Sequence, residues 1–398
     1  MTRVLLFTGK GGVGKTSVAA ATALRAARAG HRTLVMSTDP AHSLADSFGV
    51  PLGPHPTPVA ENLAAEQIDA QRRLEDNWRE IRSYLVSLLS WGGVDTVEAE
   101  ELSVIPGLEE IFSLIDVREH VAAGAYDLLV VDCAPTAETL RLLSLPDALG
   151  WYLERIFPVE RKVARVVRPV LGRMTTMPLP QDRLFGAVDA LYRNLEAVRE
   201  ILRDQTRTSV RLVVNAEKMV IAEARRTYTY LNLFGYHVDA VVINRLLPDA
   251  VTDPWFERWK ALQSEHVATV EAGFAGVPVL RAPLFDEELV GTDALERLGA
   301  AVYGDRDATQ VFRHTEPLRF ERTDDGGYAM QMTLPFVDRT DVDVFRAGDE
   351  VHVKVDAHHR SVLLPAALAR CEVTGAGMRG GVLEVRFAVP TGGHQAHA

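Results

Sequence analysis

The chain has 398 residues, of which 47% are hydrophobic and 24% charged, and its formal net charge at pH 7 is -11. This is the composition of an ordinary globular protein of about two or three domains, and its acidity disfavours non-specific binding of nucleic acid. Its two cysteines, Cys133 and Cys371, exclude a disulfide framework and a four-cysteine zinc site within one chain. Without a secretory signal or a run of about 18 apolar residues, we expect a cytoplasmic protein.

A strand, a glycine-rich loop and a helix are predicted at the start of the chain. Apolar residues at 4–7 predict the strand, and the alanine-rich run at 18–29 predicts the helix. The loop between them matches G-x-x-x-x-G-K-[ST] and has the sequence Gly9-Lys10-Gly11-Gly12-Val13-Gly14-Lys15-Thr16-Ser17. The match predicts a phosphate-binding loop, because glycines let backbone N–H groups surround a polyphosphate. We expect Lys15 to contact nucleotide phosphates and Thr16 to bind Mg²⁺.

The next strand is predicted over residues 33–38 and is followed by Asp39. Ligands of open parallel sheets bind beyond the carboxyl ends of the strands. Asp39 is therefore predicted to face the ligand of the first loop, and a turn or N-cap is the alternative role. Residues 51–60 contain four prolines and are predicted as a loop, and residues 61–69 as a short strand or extended segment.

Two helical insertions are predicted, at about 70–120 and 145–205. In both, apolar residues recur at intervals of three and four, and Pro106-Gly107 interrupts the first. Within the second, the segment 159–173 is both basic and apolar. That segment indicates either a surface for a client helix or a membrane, or a helix packed on its own domain.

The clearest buried strand is predicted over residues 126–132 and ends at Asp132. Apolar residues followed by an acid are typical of the strand that supplies the Mg²⁺ shell in phosphate-loop NTPases, so Asp132 is predicted to lie there. Further strands are predicted at 210–214, 238–243 and 278–283, alternating with helices. This alternation predicts an α/β fold, with a doubly wound and mostly parallel sheet.

The pattern changes after about residue 305 to an alternation of period two, which predicts an all-β sandwich. The predicted organisation is an α/β domain over 1–305, a linker over 306–315, a sandwich over 316–390 and a disordered tail over 391–398.

Several motifs resemble those of one ATPase family. The phosphate loop with its early Lys10 resembles the deviant Walker A loop of septum-positioning, plasmid-partition, nitrogenase iron-protein and arsenite-pump or tail-anchored-protein-targeting ATPases. Asp39-Pro40-Ala41-His42-Ser43 resembles switch I of the arsenical-pump and tail-anchored-targeting family. Residues 132–141 resemble its switch II, and residues 106–110 a further motif of the same family.

The C-terminal pattern resembles the α-crystallin domain of small heat-shock proteins. The similar segments are 334–335, 349–353, 360–365 and 381–387, in the order of that domain. A generic β-sandwich is the alternative. The pairing of such a domain with this ATPase resembles a bacterial and plastid branch of the targeting family.

The resemblance implies a Mg-ATP-dependent homodimer that hydrolyses ATP. It implies that the protein binds and releases hydrophobic protein segments, such as membrane-protein clients, with only transient membrane contact and no nucleic-acid partner. The two helical insertions would then form an apolar groove when ATP closes the dimer.

The resemblance also assigns roles to residues along the carboxyl edge of the predicted sheet. It implies that Lys10 reaches the nucleotide of the partner subunit and acts in catalysis together with Lys15 and Asp39. Asp39 would orient the attacking water and, like Thr16, belong to the Mg²⁺ site. Asp132 would lie in the shell of Mg²⁺ or the γ-phosphate. Glu217 would contact the nucleotide, and Asn244 would recognise adenine, whose edge an amide can pair.

Departures from the family leave alternatives open. The chain has one phosphate loop and lacks a cysteine cluster, so we expect no stimulation by arsenite. Residues 245–275 contain no cysteine, so a homodimer cannot use the zinc clamp of the eukaryotic targeting factor. One alternative is a partition or positioning ATPase that acts on DNA or a membrane surface. The other is a holdase whose sandwich binds clients while nucleotide regulates assembly.

Overall fold

Short apolar strands form the sheet of the first domain. The computed structural model describes residues 1–39, 43–68, 79–84, 86–87, 90, 95, 108–133, 182–324 and 326–388. The strands of this domain are β1 (Arg3–Thr8), β2 (Thr33–Ser37), β3 (Thr57–Ala60), β4 (Leu63–Gln67), β5 (Leu128–Asp132), β6 (Thr208–Asn215), β7 (Val238–Leu246) and β8 (Val279–Pro283). Apolar residues of β1, β2 and β5 are almost completely shielded from solvent, which is the pattern of strands covered on both faces.

The sheet order is β3-β4-β2-β5-β1-β6-β7-β8. Every pairing is parallel except that of β3 with β4, which is antiparallel. This arrangement confirms the predicted α/β fold with a mostly parallel sheet. Because β1, β2 and β5 are neighbours, the residues that follow their carboxyl ends meet at one place.

Helices connect these strands and cover the sheet. They are α1 (Lys15–Arg28), α2 (Ser43–Phe48), α3 (Leu108–Ala123), α4 (Asp182–Arg203), α5 (Lys218–Phe234), α6 (Glu257–Gly273) and α7 (Thr292–Tyr303). Helix α1 packs on β2, β5 and α7, whereas α4 and α5 pack on β6. The small side chains of α1 allow a close approach, since all its alanines are buried.

The prediction of a loop throughout residues 51–60 was wrong, because residues 57–60 form β3. Pro58 cannot donate a ladder hydrogen bond, but β3 lies at the sheet edge, where proline is tolerated. The register also shifts between Pro58 and Ala60. Most of the first predicted insertion, the segment 159–173 and the predicted tail lie outside the described residues.

The C-terminal domain is built from antiparallel strands. They are β9 (Leu318–Arg322), β10 (Tyr328–Thr333), β11 (Val342–Ala347), β12 (Glu350–Val355), β13 (His358–Leu363), β14 (Glu372–Arg379) and β15 (Val382–Ala388), with a short helix α8 (Ala366–Ala369) before β14. One sheet has the order β14-β15-β10-β9 and the other β11-β12-β13. Met330, Val353 and Val385 are fully buried in its core. The predicted β-sandwich is confirmed.

The sandwich packs against α5 of the first domain. The Tyr230 hydroxyl donates to Asp356 Oδ2 at 2.8 Å, and the Tyr230 ring stacks on His358 with centroids 3.8 Å apart. Arg360 reaches from the sandwich to the carbonyl oxygen of Leu233. Aromatic and hydrogen-bonded contacts therefore hold the two domains together along one helix.

A buried ion pair anchors the segment that connects the domains. Arg211 on β6 is completely buried, and its Nε lies 3.2 Å from Asp239 Oδ1 on β7. Its other nitrogens donate to the carbonyl oxygens of Ala308 at 2.8 Å and Gln310 at 3.0 Å. The predicted linker over 306–315 is thus tied to the sheet by charge-assisted hydrogen bonds.

We expect Arg211→Met to lower the free energy of unfolding by about 3–5 kcal/mol, because it leaves the buried Asp239 without its main partner. Urea unfolding of the purified protein measures the change. Arg281→Met is the matched control, since its pair with Glu271 is exposed and worth less than about 1 kcal/mol. Equal effects of the two substitutions would contradict this role of Arg211.

Candidate functional site

The predicted phosphate loop lies between β1 and α1, and its glycines meet steric demands. A Cβ on Gly9 would overlap the carbonyl oxygen of Val213 on β6. Gly14 has φ 87°, in the left-handed region, and a Cβ there would overlap the side chain of Asn244. Gly14 gives α1 no side-chain cap, and the first turn holds no acidic residue. The helix N-terminus therefore suits an anion such as a phosphate.

A hydroxyl and a carboxylate meet at the start of α1. The Thr16 hydroxyl donates to Asp132 Oδ2 at 2.7 Å, and the Ser37 hydroxyl donates to the same oxygen at 3.4 Å. Ser43 Oγ lies 3.1 Å from Thr16 Oγ1. The structure thus brings together Thr16 and Asp132, two of the three residues predicted for Mg²⁺, from distant parts of the chain.

Asp132 is fully buried, and burial raises the pKa of its carboxyl group to about 6, although the hydrogen bond from Thr16 and the charge of Lys15 oppose the shift. Its Oδ1 has no hydrogen-bond partner among the described residues. A buried acceptor without a partner is costly, and a hydrated cation would satisfy it. The donor set fits Mg²⁺, which keeps several of its waters.

The two lysines of the loop differ in environment. Lys15 is only 6% exposed, and its Nζ donates to the carbonyl oxygen of Lys10 at 3.4 Å. The Lys10 side chain is partly exposed, and its Nζ lies 3.7 Å from Glu223 Oε2 on α5. Lys15 is thus held over the loop, and the role of Lys10 across a dimer stays a prediction.

Asp39 follows the carboxyl end of β2, beside the end of β5. Its backbone N–H donates to Ser37 Oγ at 3.2 Å, and its carbonyl oxygen accepts from Gln67 Nε2 at 2.8 Å. The charge of Asp39 also raises the pKa of the Asp132 carboxyl group. The predicted catalytic acid is therefore close enough to influence the predicted metal ligand.

Sequence reasoning missed Ser37 and Gln67. Ser37 pairs with Asp132 on β5 and with Gln67 on β4, at the last positions of these ladders. Polar residues that end buried strands were the available signal, because such ends meet the ligand in open parallel sheets. The hydrogen bond from Gln67 to Asp39 could not be predicted without the strand order, because it depends on β4 lying beside β2.

A cleft of about 730 Å³ opens beside the loop. Glu217 and the aromatic residues Trp255 and Trp259 line it, and Glu217 is exposed at the start of α5. Asn244 is buried, and its Nδ2 donates to the carbonyl oxygen of Val13 at 2.9 Å. Glu217 thus faces a space suited to a small molecule, while Asn244 secures the loop. Recognition of adenine by Asn244 stays a prediction.

Cys133 directly follows Asp132 in the sequence. Burial raises the pKa of the Cys133 thiol to about 12, so its reactive thiolate is negligible at neutral pH.

Among the described residues, no group of three or more histidine, cysteine, aspartate or glutamate side chains could hold a metal ion. None of the described helices is both long and apolar enough to cross a membrane.

Two family models match this chain. The one described as anion-transporting ATPase matches residues 2–304. The one described as an HSP20-like domain found in ArsA matches residues 325–387 and agrees with the predicted α-crystallin-like sandwich.

Similar proteins occur in bacteria and plants. A Chlorobaculum tepidum protein named "Putative arsenical pump-driving ATPase" is 42% identical over 373 residues, which cover 93% of this chain and 92% of that protein. "ATPase GET3C" of Arabidopsis thaliana is 30% identical over 321 residues, covering 75% of this chain and 81% of that protein. "ATPase GET3B" of the same plant is 32% identical over 326 residues, covering 74% and 77%.

We expect Asp132→Asn to stabilise the nucleotide-free protein at pH 8. The pKa of about 6 lies above the usual 3.8, so the folded chain holds this proton more tightly and loses stability as pH rises from about 4 to 6. The amide removes that cost and still accepts from Thr16. The gain in unfolding free energy is about 1–3 kcal/mol at pH 8 and smaller at pH 5.

Urea unfolding at the two pH values measures this gain. Asp127→Asn is the control of opposite sign, because Arg32 lowers the pKa of the Asp127 carboxyl group to about 2 and its ionised form is favoured. If Asp132→Asn were less stable than wild type at both pH values, the buried carboxylate would not be a cost to the folded protein.

Proposed function

We propose that cycles of ATP binding and hydrolysis by this protein control the binding and release of hydrophobic protein segments. The chain belongs to the anion-transporting ATPase family, and the proposal starts from that finding. Family membership and the ATPase-named relatives establish that the protein is an ATPase. The client class, the dimer and Mg²⁺ dependence are the proposal.

One topological observation carries the proposal. The first predicted insertion follows β4 directly, after Gln67, and the chain leading to the second follows β5, after Asp132. Both segments therefore leave the sheet at the edge that carries Thr16 and Asp39. The chain returns through α3 and α4, which pack on each other, and Arg118 of α3 donates to Asn194 of α4. A movement at the site would therefore have to pass through only a few residues to reach the predicted client-binding segments.

The site residues suit ATP hydrolysis. The loop N–H groups and Lys15 would bind the phosphates, and Thr16 and Asp132 would hold Mg²⁺ through its ligands or waters. Bound Mg²⁺ supplies positive charge that stabilises charge developing on the transferred phosphoryl group. Asp39 would accept a hydrogen bond from the attacking water and orient it.

Nucleotide can control client binding only through differential affinity. ATP must favour one arrangement of the insertions over the other, and a ligand with equal affinity for both shifts neither population. Asp132 ends the strand that leads to the second insertion. Contacts between this strand end and the γ-phosphate end of ATP would give ATP different affinities for the two arrangements.

An exposed apolar surface at the cleft supports a homodimer. Trp255 is 70% exposed, Trp259 53% and Met219 73%, and all three line the cleft beside Lys10. Large exposed apolar groups that cluster are typical of protein interfaces. We assign a second copy of this chain to this surface, in a position where Lys10 of each copy is near the other's cleft.

Arsenite is not the proposed trigger. Trivalent arsenic requires thiolates, and the chain has two cysteines, Cys133 and Cys371, both buried. They lie in different domains, and the raised pKa of the Cys133 thiol disfavours its thiolate.

We expect Asp39→Asn to lower kcat for ATP by about 100-fold or more with nucleotide affinity unchanged, because orientation of water contributes to the transition state alone. Lys15→Ala is expected to lose nucleotide affinity as well. Phosphate release and binding of a fluorescent ATP analogue measure the two effects. Normal turnover in either variant would show that its catalytic assignment is wrong.

We expect Trp255→Ser combined with Trp259→Ser to abolish the ATP-dependent dimer while the monomer remains folded. Light scattering with a non-hydrolysable ATP analogue measures the mass. Phe345→Ser is the matched control, since Phe345 is 53% exposed but lies on β11 of the sandwich. A dimer that persists in the double variant would refute this interface.

A further inference from the structure

Gln67 is a buried amide at the end of β4. It is 3% exposed, and its Nε2 donates to the carbonyl oxygen of Asp39 at 2.8 Å. Its Oε1 is also buried and has no hydrogen-bond partner within the described ranges of the chain. An apolar side chain of similar size would fill this position without desolvating an amide. Packing alone therefore does not explain why an amide occupies position 67.

The position of Asp39 explains the amide. The parallel ladder of β2 and β4 ends where Ser37 pairs with Gln67, and the last backbone bond runs from Ile68 N–H to the Ser37 carbonyl oxygen at 3.2 Å. Asp39 lies two residues beyond Ser37, outside the ladder. The Gln67 side chain thus extends the hydrogen bonding of β4 past the end of the sheet onto Asp39.

Gln67 extends from a fixed backbone. Its own N–H donates to the carbonyl oxygen of Gly53 at 2.9 Å. The preceding residue, Glu66, is 3% exposed, and its Oε2 lies 2.9 Å from His120 Nε2 on α3. Contacts on both sides hold the strand end, so the amide is presented in one place.

We propose that Gln67 is a positioning residue for ATP hydrolysis, which holds the backbone of Asp39 so that its carboxylate can orient the attacking water. Together with the bond from the Asp39 N–H to Ser37, this contact holds Asp39 both from the end of its own strand, β2, and from the neighbouring strand, β4. The inference rests on the proposed catalytic role of Asp39. A small displacement of a catalytic group lowers the reaction rate strongly, so a second hydrogen bond that holds Asp39 in place affects kcat.

The test uses Gln67→Leu and Gln67→Glu in the full chain. We expect kcat to fall about tenfold to a hundredfold in Gln67→Leu, with KM for ATP and binding of a fluorescent ATP analogue unchanged within about twofold. In Gln67→Glu, the ionised carboxylate repels the Asp39 carbonyl, whereas its protonated form can donate to it. Its kcat relative to wild type should therefore recover as pH falls from about 8.5 to 6.

A second readout is independent of turnover. In the nucleotide-free protein, hydrogen exchange of a fragment containing residues 37–39 should quicken in Gln67→Leu, because the backbone of Asp39 loses a support. Gln310→Glu is the control for an added carboxyl group, since the exposed side chain of Gln310 lies on the segment between the domains. It should keep wild-type kcat, pH profile and exchange.

The outcomes separate the inference from the proposed function. Wild-type kcat and exchange in Gln67→Leu overturn the inference, as does a loss of kcat matched by lost nucleotide affinity and melting temperature. If Gln67→Leu does not fold, a pH profile of Gln67→Glu parallel to wild type overturns it. Faster exchange at Asp39, with full turnover in Asp39→Asn, overturns the catalytic role of Asp39 instead.

Discussion

The hydrogen bond from Thr16 to Asp132 is the contact on which the rest of the site depends. It joins the first turn of α1 to the end of β5 at 2.7 Å, across more than a hundred residues of sequence. The Asp132 carboxyl group is fully buried, and burial raises its pKa to about 6. Its ionised form therefore costs free energy in the folded protein, because the charge has lost its hydration. A site that accepts this cost is prepared for a cation, and binding of Mg-ATP would offset it.

The parallel sheet makes that contact possible and surrounds it. Since β2, β5 and β1 are neighbours, Asp39, Asp132 and the phosphate loop converge at one edge without further long-range contacts. The same edge gives rise to both predicted insertions. On the other side of the loop, α5 begins at the cleft beside Glu217 and continues to Tyr230, which contacts the sandwich. One helix therefore connects the cleft beside the predicted phosphate loop to the HSP20-like domain.

The sequence predicted most strands of the sheet, because runs such as residues 128–131 are apolar and bounded by turn residues. It also predicted Lys15, Thr16, Asp39 and Asp132 as a group, since motif and strand end coincide. It could not predict that Asn244 bonds to Val13, because that contact depends on β7 lying two strands from β1. Gln67 was missed because its contact with Asp39 also depends on the strand order. Strand β3 was missed because Pro58 argues against a strand, except in a strand at the edge of the sheet.

In the proposed cycle, the bound nucleotide controls the affinity of the protein for a hydrophobic segment. The most direct test is the dissociation constant of the full-length protein for a fluorescent peptide of about 20 apolar residues, measured with Mg²⁺ and either a non-hydrolysable ATP analogue or ADP. We expect at least about tenfold different affinities for the two nucleotide states, which corresponds to about 1.4 kcal/mol of coupling. Equal affinities in both states, or no binding in either, would contradict the proposed cycle.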